Sequence, residues 1–226
     1  MKNWFYKIKL FINLLKYRSL FIKKQYSKNQ EDKYLKKIFK KKNKGTYIDI
    51  GAYHPYRFSN TYLLHKKGWN GINVDINKKS IDLFNIARPN DINLNIAIGD
   101  KNKIQTFYYK KKNHPMNTLN KKFVKKFWNN KDHIKKNKIM TRTFNYLTKK
   151  IKKVDLLDID VEGTEYNVIK KINFKKISFK IILIEHSLFD ITTIKNTKKI
   201  KHLLLKENYK YVKNFGETSV YKNKLY

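Results

Sequence analysis

The sequence predicts an α/β fold built around a mostly parallel sheet. Short β-rich segments that end in an acidic residue or a glycine alternate with segments of helical periodicity, which is the pattern of βαβ units. The chain has 226 residues, of which 41% are hydrophobic and 15% aromatic, so it can bury a substantial core. Neither an internal repeat nor a linker is evident in residues 43–226. We therefore expect one domain there, preceded by an N-terminal arm, residues 1–42.

The predicted elements follow one another along the chain as strand, helix, strand. Strands are expected over residues 46–51, 71–76, 92–99, 154–161 and 181–186, and helices over residues 30–42, 59–67, 79–87, 164–171 and 194–208. Alternation over residues 209–222 predicts two further strands that turn near Phe215 and Gly216. The connection 107–153 is long and lysine-rich, with a loop over residues 113–117. Insertions of this kind often form a lid or a substrate surface.

The N-terminal arm has the pattern of a basic amphipathic helix, with no acidic residue between residues 2 and 24. At about 100° per residue, seven apolar side chains fall in one sector of roughly 120°. They are Trp4, Phe5, Ile8, Phe11, Ile12, Leu15 and Ile22. Basic residues flank this sector, as in helices that lie on an anionic membrane. Leu10, Leu14 and Phe21 lie on the other face, so a helix packed on its own domain is the alternative.

The chain is strongly basic and has no cysteine. Lys+Arg 53 against Asp+Glu 17 gives a net charge of +36, which favours nucleic acid, an anionic membrane or an acidic substrate as a partner. Lysine and other residues with AT-rich codons are abundant throughout, so base composition explains part of this excess. The absence of cysteine excludes disulfides, thiolate zinc sites and cysteine nucleophiles. No apolar run is long enough to span a bilayer, and we expect a cytoplasmic protein that is at most peripheral to the membrane.

The first two strand ends carry residues suited to a nucleoside ligand, which open parallel sheets bind beyond the carboxyl ends of their strands. Gly51 follows the first strand and allows a sharp turn and a close approach to a ligand. Asp75 ends the second strand, where a carboxylate can accept hydrogen bonds from both ribose hydroxyls. Tyr53 and Tyr56 occupy positions that are glycines in the dinucleotide fingerprint. A turn glycine with a solvent-facing acid is the alternative interpretation.

The densest group of acidic residues ends the fourth strand. Asp158, Asp160 and Glu162 alternate, so they point to one side of a strand. Crowding and burial raise the pKa of a carboxyl toward that of a useful general base, and such a group can also hold a hard divalent cation. The alternative is that Glu162 and Glu165 only favour the start of the next helix. His186, at the end of the fifth strand, is a second candidate proton acceptor.

Four stretches of the chain have the order and spacing of a known family. They are Asp49-Ile-Gly-Ala-Tyr-His-Pro-Tyr-Arg-Phe-Ser-Asn-Thr-Tyr62, Gly68-Trp-Asn-Gly-Ile-Asn-Val-Asp75, Arg88-Pro-Asn-Asp91 and Asp160-Val-Glu-Gly-Thr-Glu165. Over roughly residues 26–190 the chain resembles the FkbM family of S-adenosylmethionine-dependent methyltransferases. The resemblance implies a class I methyltransferase fold, a Rossmann-like three-layer sandwich. Its seven-stranded sheet has one antiparallel strand and helices on both faces.

The resemblance also implies roles for individual residues. Those expected to contact the cofactor are Asp49, Gly51 and Ala52 at its methionine part, Asp75 at its ribose, and Asn95 and Ala97 near its adenine. Those that match family motifs are Ser59, Asn60 and Thr61, in its Ser-Asn-Thr, and Asp160 and Glu162, in its acidic signature near the transferred methyl. Family members often carry a Ser-Gln-x-Gly-Glu-Asp element before the first strand. Residues 27–32 correspond to it but lack that glutamine and the glycine.

The expected reaction is methylation of a hydroxyl. Cytosine C5 methylation in RNA generally needs a cysteine, and adenine amino methylation usually shows Asp/Asn-Pro-Pro-Tyr/Phe where this chain has Asp-Val-Glu-Gly. A hydroxyl becomes a good nucleophile as a base removes its proton, and Asp160 or Glu162 is the first candidate, with His186 second. Similarity to the family points to a small-molecule, glycan or glycolipid acceptor. A nucleic-acid-binding protein or an RNA ribose methyltransferase on the same fold is the alternative.

Overall fold

The computed structural model describes residues 2–17, 19–110, 117–128, 133–149, 151, 153–186 and 191–226. Its strands, in chain order, are β1 (Thr46–Ile50), β2 (Asn70–Val74), β3 (Ile92–Leu94), β4 (Ala97–Ile98), β5 (Lys103–Tyr109), β6 (Lys135–Arg142), β7 (Lys153–Ile159), β8 (Ser178–Glu185), β9 (Tyr209–Phe215) and β10 (Thr218–Asn223). Its helices are α1 (Lys2–Lys16), α2 (Ser19–Lys23), α3 (Glu31–Ile38), α4 (Tyr62–His65), α5 (Lys78–Ala87), α6 (Lys121–Phe127), α7 (Phe144–Thr148), α8 (Glu165–Ile169) and α9 (Ile191–Lys206).

A seven-stranded sheet forms the centre of the fold, in the order β3-β2-β1-β7-β8-β10-β9. Neighbouring strands in this sheet are parallel, except that β10 runs antiparallel to both β8 and β9. This confirms a mixed α/β fold with a mostly parallel sheet, and its one reversed strand agrees with the expected methyltransferase fold. A second sheet has the order β4-β6-β5.

The second sheet is the main difference from the sequence prediction. Residues 92–99 were expected to form one strand, but β3 pairs with β2 whereas β4 pairs with β6. The chain changes sheets here because two further strands follow, β5, which begins before the predicted connection 107–153, and β6 within it, and these two pair antiparallel. Residues 113–116 of the predicted loop lie outside the described residues.

The central strands are buried on both faces, as parallel sheets require. Ile48, Leu157 and Ile182 contribute to one apolar cluster, which α7, α8 and α9 cover. The residues preceding them in each strand, Tyr47, Leu156 and Ile181, contribute to a second cluster covered by α3 and α4. This alternation with a period of two produces three layers.

The chain enters α3 through a strained residue. Gln30 adopts φ 72°, the left-handed region, and its side chain makes no capping hydrogen bond. It stands at the position where similar proteins often have the glycine of the element before the first strand. The turn therefore keeps a glycine-like backbone conformation without a glycine.

We expect Gln30→Gly to stabilise the protein by about 0.5–1 kcal/mol, because a side chain in the left-handed region costs about 1–2 kcal/mol and glycine adds some unfolded-state entropy. The midpoint of urea unfolding measures this change. Gln30→Ala is the control: it keeps the Cβ and the strain, so its midpoint should move less. A glycine variant less stable than the alanine variant would contradict this account.

Candidate functional site

A pocket of about 280 Å³ lies at the carboxyl ends of β1, β2 and β7. In the sheet register, Ile50 lies opposite Val74 on one side and Ile159 on the other. The residues that follow these three strand ends are Gly51, Asp75 and Asp160, and all three line the pocket. The parallel sheet thus brings together residues from three distant parts of the sequence.

Gly51 lets the ends of β1 and β7 approach each other. It adopts φ 88°, and a Cβ at this position would lie 1.6 Å from the backbone oxygen of Asp160. Its N–H donates to the carbonyl of Val74 at 2.8 Å, and the N–H of Asp160 donates to the carbonyl of Ile50 at 2.8 Å. Any side chain at residue 51 would separate these strand ends.

Asp75 is held rigidly at the end of β2. Its Oδ2 accepts from the N–H of Tyr53 at 2.8 Å and its Oδ1 from the N–H of Asn77 at 2.6 Å. The side-chain amide of Asn95 donates to the Asp75 carbonyl at 2.9 Å. Burial raises the pKa of Asp75 to about 6, although the two N–H groups oppose this shift. Each carboxylate oxygen keeps further acceptor capacity for a ligand.

A buried arginine organises the turn that follows β1. Arg88 has no exposed surface. Its guanidinium donates to the Oγ1 of Thr61 at 2.9 Å and to the Oγ of Ser59 at 2.8 Å, and it also donates to the carbonyl of Pro55. Thr61 in turn donates to Asp49 at 2.8 Å. Ser59 and Thr61 therefore connect the turn to β1 and to Arg88.

Arg88 belongs to the motif Arg88-Pro-Asn-Asp91, which by itself predicted no role for it. Only four of the 53 basic residues are arginines, so an arginine in such a lysine-rich chain is itself a signal. The planar guanidinium has five donors in a fixed geometry that lysine cannot supply.

Four carboxyl groups line the acidic side of the pocket, those of Glu31, Asp160, Glu162 and Glu185. Burial, followed by the charge of Glu185, raises the pKa of Asp160 well above its usual range. Burial and the charge of the same neighbour raise the pKa of Glu162 to about 8. Both predicted bases therefore line the pocket, and both have pKa values above those of ordinary carboxyl groups.

Lys28 is the basic member of this side. Its Nζ lies 3.2 Å from Oε2 of Glu217 and 3.8 Å from Oε1 of Glu185. Lys28 and Glu31 belong to residues 27–32, and Glu217 lies between β9 and β10. None of the three had a predicted role. Residues 27–32 were noted only as the counterpart of a family element that lacks its glutamine and glycine, and nothing in the local pattern indicates that these segments meet beside β8.

Asp158 and His186 lie behind the pocket lining. Asp158 accepts from the side chain of Asn60 at 2.9 Å, and Asn60 itself lines the pocket. The backbone N–H of His186 donates to the carbonyl of Glu217 at 3.0 Å, and burial lowers the pKa of its imidazole. Of the three acidic residues predicted to point to one side, Asp160 and Glu162 line the pocket and Asp158 does not. Within the part of the chain that the structure describes, no three His, Cys, Asp or Glu residues are placed to hold a metal ion.

The other predicted cofactor residues divide between the lining and the turns behind it. Ala97 lines the pocket. Those behind the lining, whose contact with a ligand stays a prediction, are Asp49, Ala52, Ser59, Thr61 and Asn95.

The long connection contributes directly to the pocket. Asn117 and Leu119 line it, while Thr118 donates to the carbonyl of Glu162 at 2.9 Å and Asn120 to that of Gly163 at 3.1 Å. These contacts support the turn that carries Glu162. The described part of the insertion therefore forms one wall of the pocket.

Backbone strain is concentrated around this pocket. Tyr53, Phe58 and Glu162 all line it and adopt φ values of 52°, 57° and 53°. Each such left-handed residue costs about 1–3 kcal/mol and persists only where surrounding contacts hold it, most often at functional sites. This strain is a further indication, beside the buried carboxyl groups, that the pocket is the functional region.

The class of protein follows from three features: the strand order, the reversed β10 and the pocket beyond the parallel strand ends. Together they define an α/β protein of the methyltransferase type. The family model for the methyltransferase FkbM domain matches residues 49–211, well over half of the chain. The chain therefore belongs to the FkbM family of methyltransferases. A search among curated proteins finds no significant match. Lys28 and Glu31 lie before the matched range.

We expect the stability of the protein to fall as the pH rises from about 5.5 to 8.5. The folded-state pKa of Glu162, about 8, lies above its usual value of 4.5, so the folded protein holds a proton that the unfolded chain has lost. This stabilising contribution is complete below about 4.5 and disappears as the pH rises through 8. Glu162→Gln cannot ionise, so its Tm should exceed that of the wild type by a difference that is smallest near pH 5.5 and grows as the pH rises to 8.5.

Thermal melts across this pH range measure the effect. Asp100→Asn is the control, since Asp100 is exposed and lies outside the pocket, and its melting curve should follow the wild type. Equal Tm values for Glu162→Gln and wild type at pH 8.5 would show that the Glu162 carboxylate is not destabilising.

Proposed function

We propose that the protein transfers a methyl group from S-adenosylmethionine to a hydroxyl of a sugar, a glycan, a glycolipid or another small hydroxylated molecule. The observation that carries this proposal is the composition of one pocket, where a ribose-type carboxylate, Asp75, lies beside the acidic pair Asp160 and Glu162. Membership of the FkbM family supports methyl transfer.

The donor set of the pocket fits S-adenosylmethionine. Apolar side chains suited to the faces of a purine are Ile76, Ile96, Ala97, Ile98 and Leu119. Asp75 can accept from ribose hydroxyls, and its acceptor capacity is only partly used by backbone N–H groups. The buried side-chain oxygen of Asn117 has no hydrogen-bond partner among the described residues, so it is available to a donor on the ligand.

The acidic side of the pocket supplies the base. When bound, S-adenosylmethionine offers an electrophilic methyl group on a positively charged sulfonium. In its ionised form, Asp160 or Glu162 accepts the proton of the acceptor hydroxyl, and the raised pKa makes that carboxylate a stronger base than an ordinary one. The Lys28 ammonium limits the repulsion among these acids and is itself held by Glu217 and Glu185. His186 is the second candidate base.

The charge of the pocket favours a neutral or cationic acceptor. Among the described residues that line it, Glu31, Asp75, Asp160, Glu162 and Glu185 are acidic and Lys28 is basic. Those of these carboxyl groups that are ionised would repel a phosphate-rich acceptor, and Lys28 is already paired with Glu217 and Glu185. The alternative function on nucleic acid draws only on the net charge of +36, and the acidic pocket opposes it.

We expect Asp75→Ala to weaken binding of S-adenosylmethionine and of its demethylated product about tenfold to over a hundredfold. The lost acceptor for two ribose hydroxyls is worth roughly 1.5–3 kcal/mol. Calorimetry measures the affinity, and a thermal melt establishes that the variant is folded. Asp100→Ala is the control outside the pocket. Unchanged affinity in a folded Asp75→Ala protein would contradict the cofactor assignment.

We expect Asp160→Asn or Glu162→Gln to lower the rate of methyl transfer about 10²–10⁴-fold and to change cofactor affinity much less. An amide keeps the shape of the carboxyl but cannot accept a proton, and general base catalysis contributes rate factors of this size. Methyl transfer from labelled S-adenosylmethionine onto surface polysaccharides and lipids is measured by mass spectrometry.

The same methyl-transfer assay distinguishes a carboxylate base from activation by a divalent cation and from His186 as the base. If a divalent cation activates the hydroxyl, EDTA stops turnover and Mg²⁺ or Mn²⁺ restores it. Full activity of both amide variants and of the chelated enzyme on a verified acceptor would exclude the acidic pair as the base. His186 would then be the next residue to replace.

A further inference from the structure

Helix α1 is attached to the domain by one of its faces. Leu10 and Leu14 are buried against Leu83 of α5. The hydroxyl of Tyr6, on the same face, donates to Asp82 of α5 at 2.7 Å. This attachment agrees with the alternative in which the arm packs on its own domain.

The same face of α1 also contacts the turn after β1. The side-chain oxygen of Asn13 lies 3.0 Å from Nε2 of His54, and Arg57 donates to the hydroxyl of Tyr17, just beyond the helix, at 3.2 Å. Tyr53 and Phe58, on either side of these two partners, line the pocket. Helix α1 is therefore fixed to the rim of the candidate active site.

The opposite face of α1 is apolar and faces solvent. At about 100° per residue it lies roughly 180° from the attachment face. Its large side chains are 54 to 63% exposed; they are Trp4, Phe5, Phe11, Ile12 and Leu15. The attachment uses none of them, so the packing of the arm leaves this surface without a partner among the described residues.

Lysines border this exposed surface on both sides. Lys7 lies along one edge and Lys9 and Lys16 along the other, and all three are exposed. The arm contains no acidic residue between residues 2 and 24. An apolar stripe with aromatic side chains and basic edges is suited to the boundary between lipid tails and anionic headgroups.

We propose that this face of α1 docks the protein on an anionic lipid bilayer. The apolar side chains enter the boundary region while the lysines remain beside the lipid phosphates. Charge favours this occupant over a second copy of the chain, because an antiparallel or parallel pairing of two α1 helices would bring lysine-bordered edges together. Among the described residues, no helix is both long and apolar enough to cross a membrane, so the contact is interfacial.

Membrane docking would also orient the pocket. Because α1 contacts the turn 53–58 directly, the rim of the candidate active site is held at a fixed position relative to the bilayer. This inference rests on the exposed face and its charges and does not depend on the proposed reaction.

Flotation of the full-length protein with vesicles tests the proposal. Vesicles of phosphatidylcholine alone are compared with vesicles containing phosphatidylglycerol, and the protein should bind the second kind. Phe11→Ser with Leu15→Ser should weaken this binding roughly tenfold or more, because two side chains no longer enter the lipid. Melting temperature and cofactor affinity should remain unchanged, since both side chains are exposed.

Two matched controls make the test specific. Ile104→Ser replaces a side chain that is 63% exposed on β5, and it should leave vesicle binding intact. Replacing Lys7, Lys9 and Lys16 by glutamine should weaken binding by about fivefold for each lysine at low salt. The same replacement at Lys135, Lys136 and Lys138, which are exposed on β6, removes equal charge and should have a much smaller effect.

Three results would overturn the proposal. They are absence of binding to anionic vesicles, equal loss of binding in the α1 variants and their matched controls, and a concentration-dependent dimer that Phe11→Ser with Leu15→Ser abolishes. The last result, seen by sedimentation, would assign the exposed face to contact between two copies instead of lipid.

Discussion

The close contact between Gly51 and the backbone of Asp160 is the constraint on which the site depends. It joins the end of β1 to the end of β7, and hydrogen bonds continue the junction to Val74 at the end of β2. Three strands far apart in sequence therefore end at one edge with their following residues side by side. The pocket, its carboxylates and the turn toward α1 all take their positions from this junction.

The residues around this junction destabilise the folded protein, in contrast to the apolar residues of an ordinary core. Carboxyl groups are buried with raised pKa values, and three lining residues adopt left-handed conformations. The interior on both faces of the sheet and the hydrogen bonds of Arg88 offset these costs. The site is thus maintained by packing elsewhere, as expected where function conflicts with stability.

The sequence predicted the elements whose signals are local. Apolar runs that end in glycine or acid located the five parallel strands β1, β2, β3, β7 and β8, and Gly51, Asp75 and Asp160 were found because they follow strand ends. Lys28 and Glu217 were not found, since they reach the pocket only through packing of distant segments. The N-terminal arm shows a similar limit. Its periodicity identified two faces and left membrane contact and packing on the domain as alternatives. Only the tertiary contacts show that one face is attached while the other is exposed.

The buried guanidinium of Arg88 also limits how far lysine can replace arginine in this chain. Lysine replaces arginine readily on the surface of a chain like this one, because water hydrates either cation. At Arg88, donors must reach Ser59, Thr61 and the carbonyl of Pro55 at once, and a single ammonium on a flexible stem cannot span them. A genome under pressure toward AT-rich codons can therefore recode most of this protein's basic positions, but at this one the geometry of the turn opposes the mutational bias.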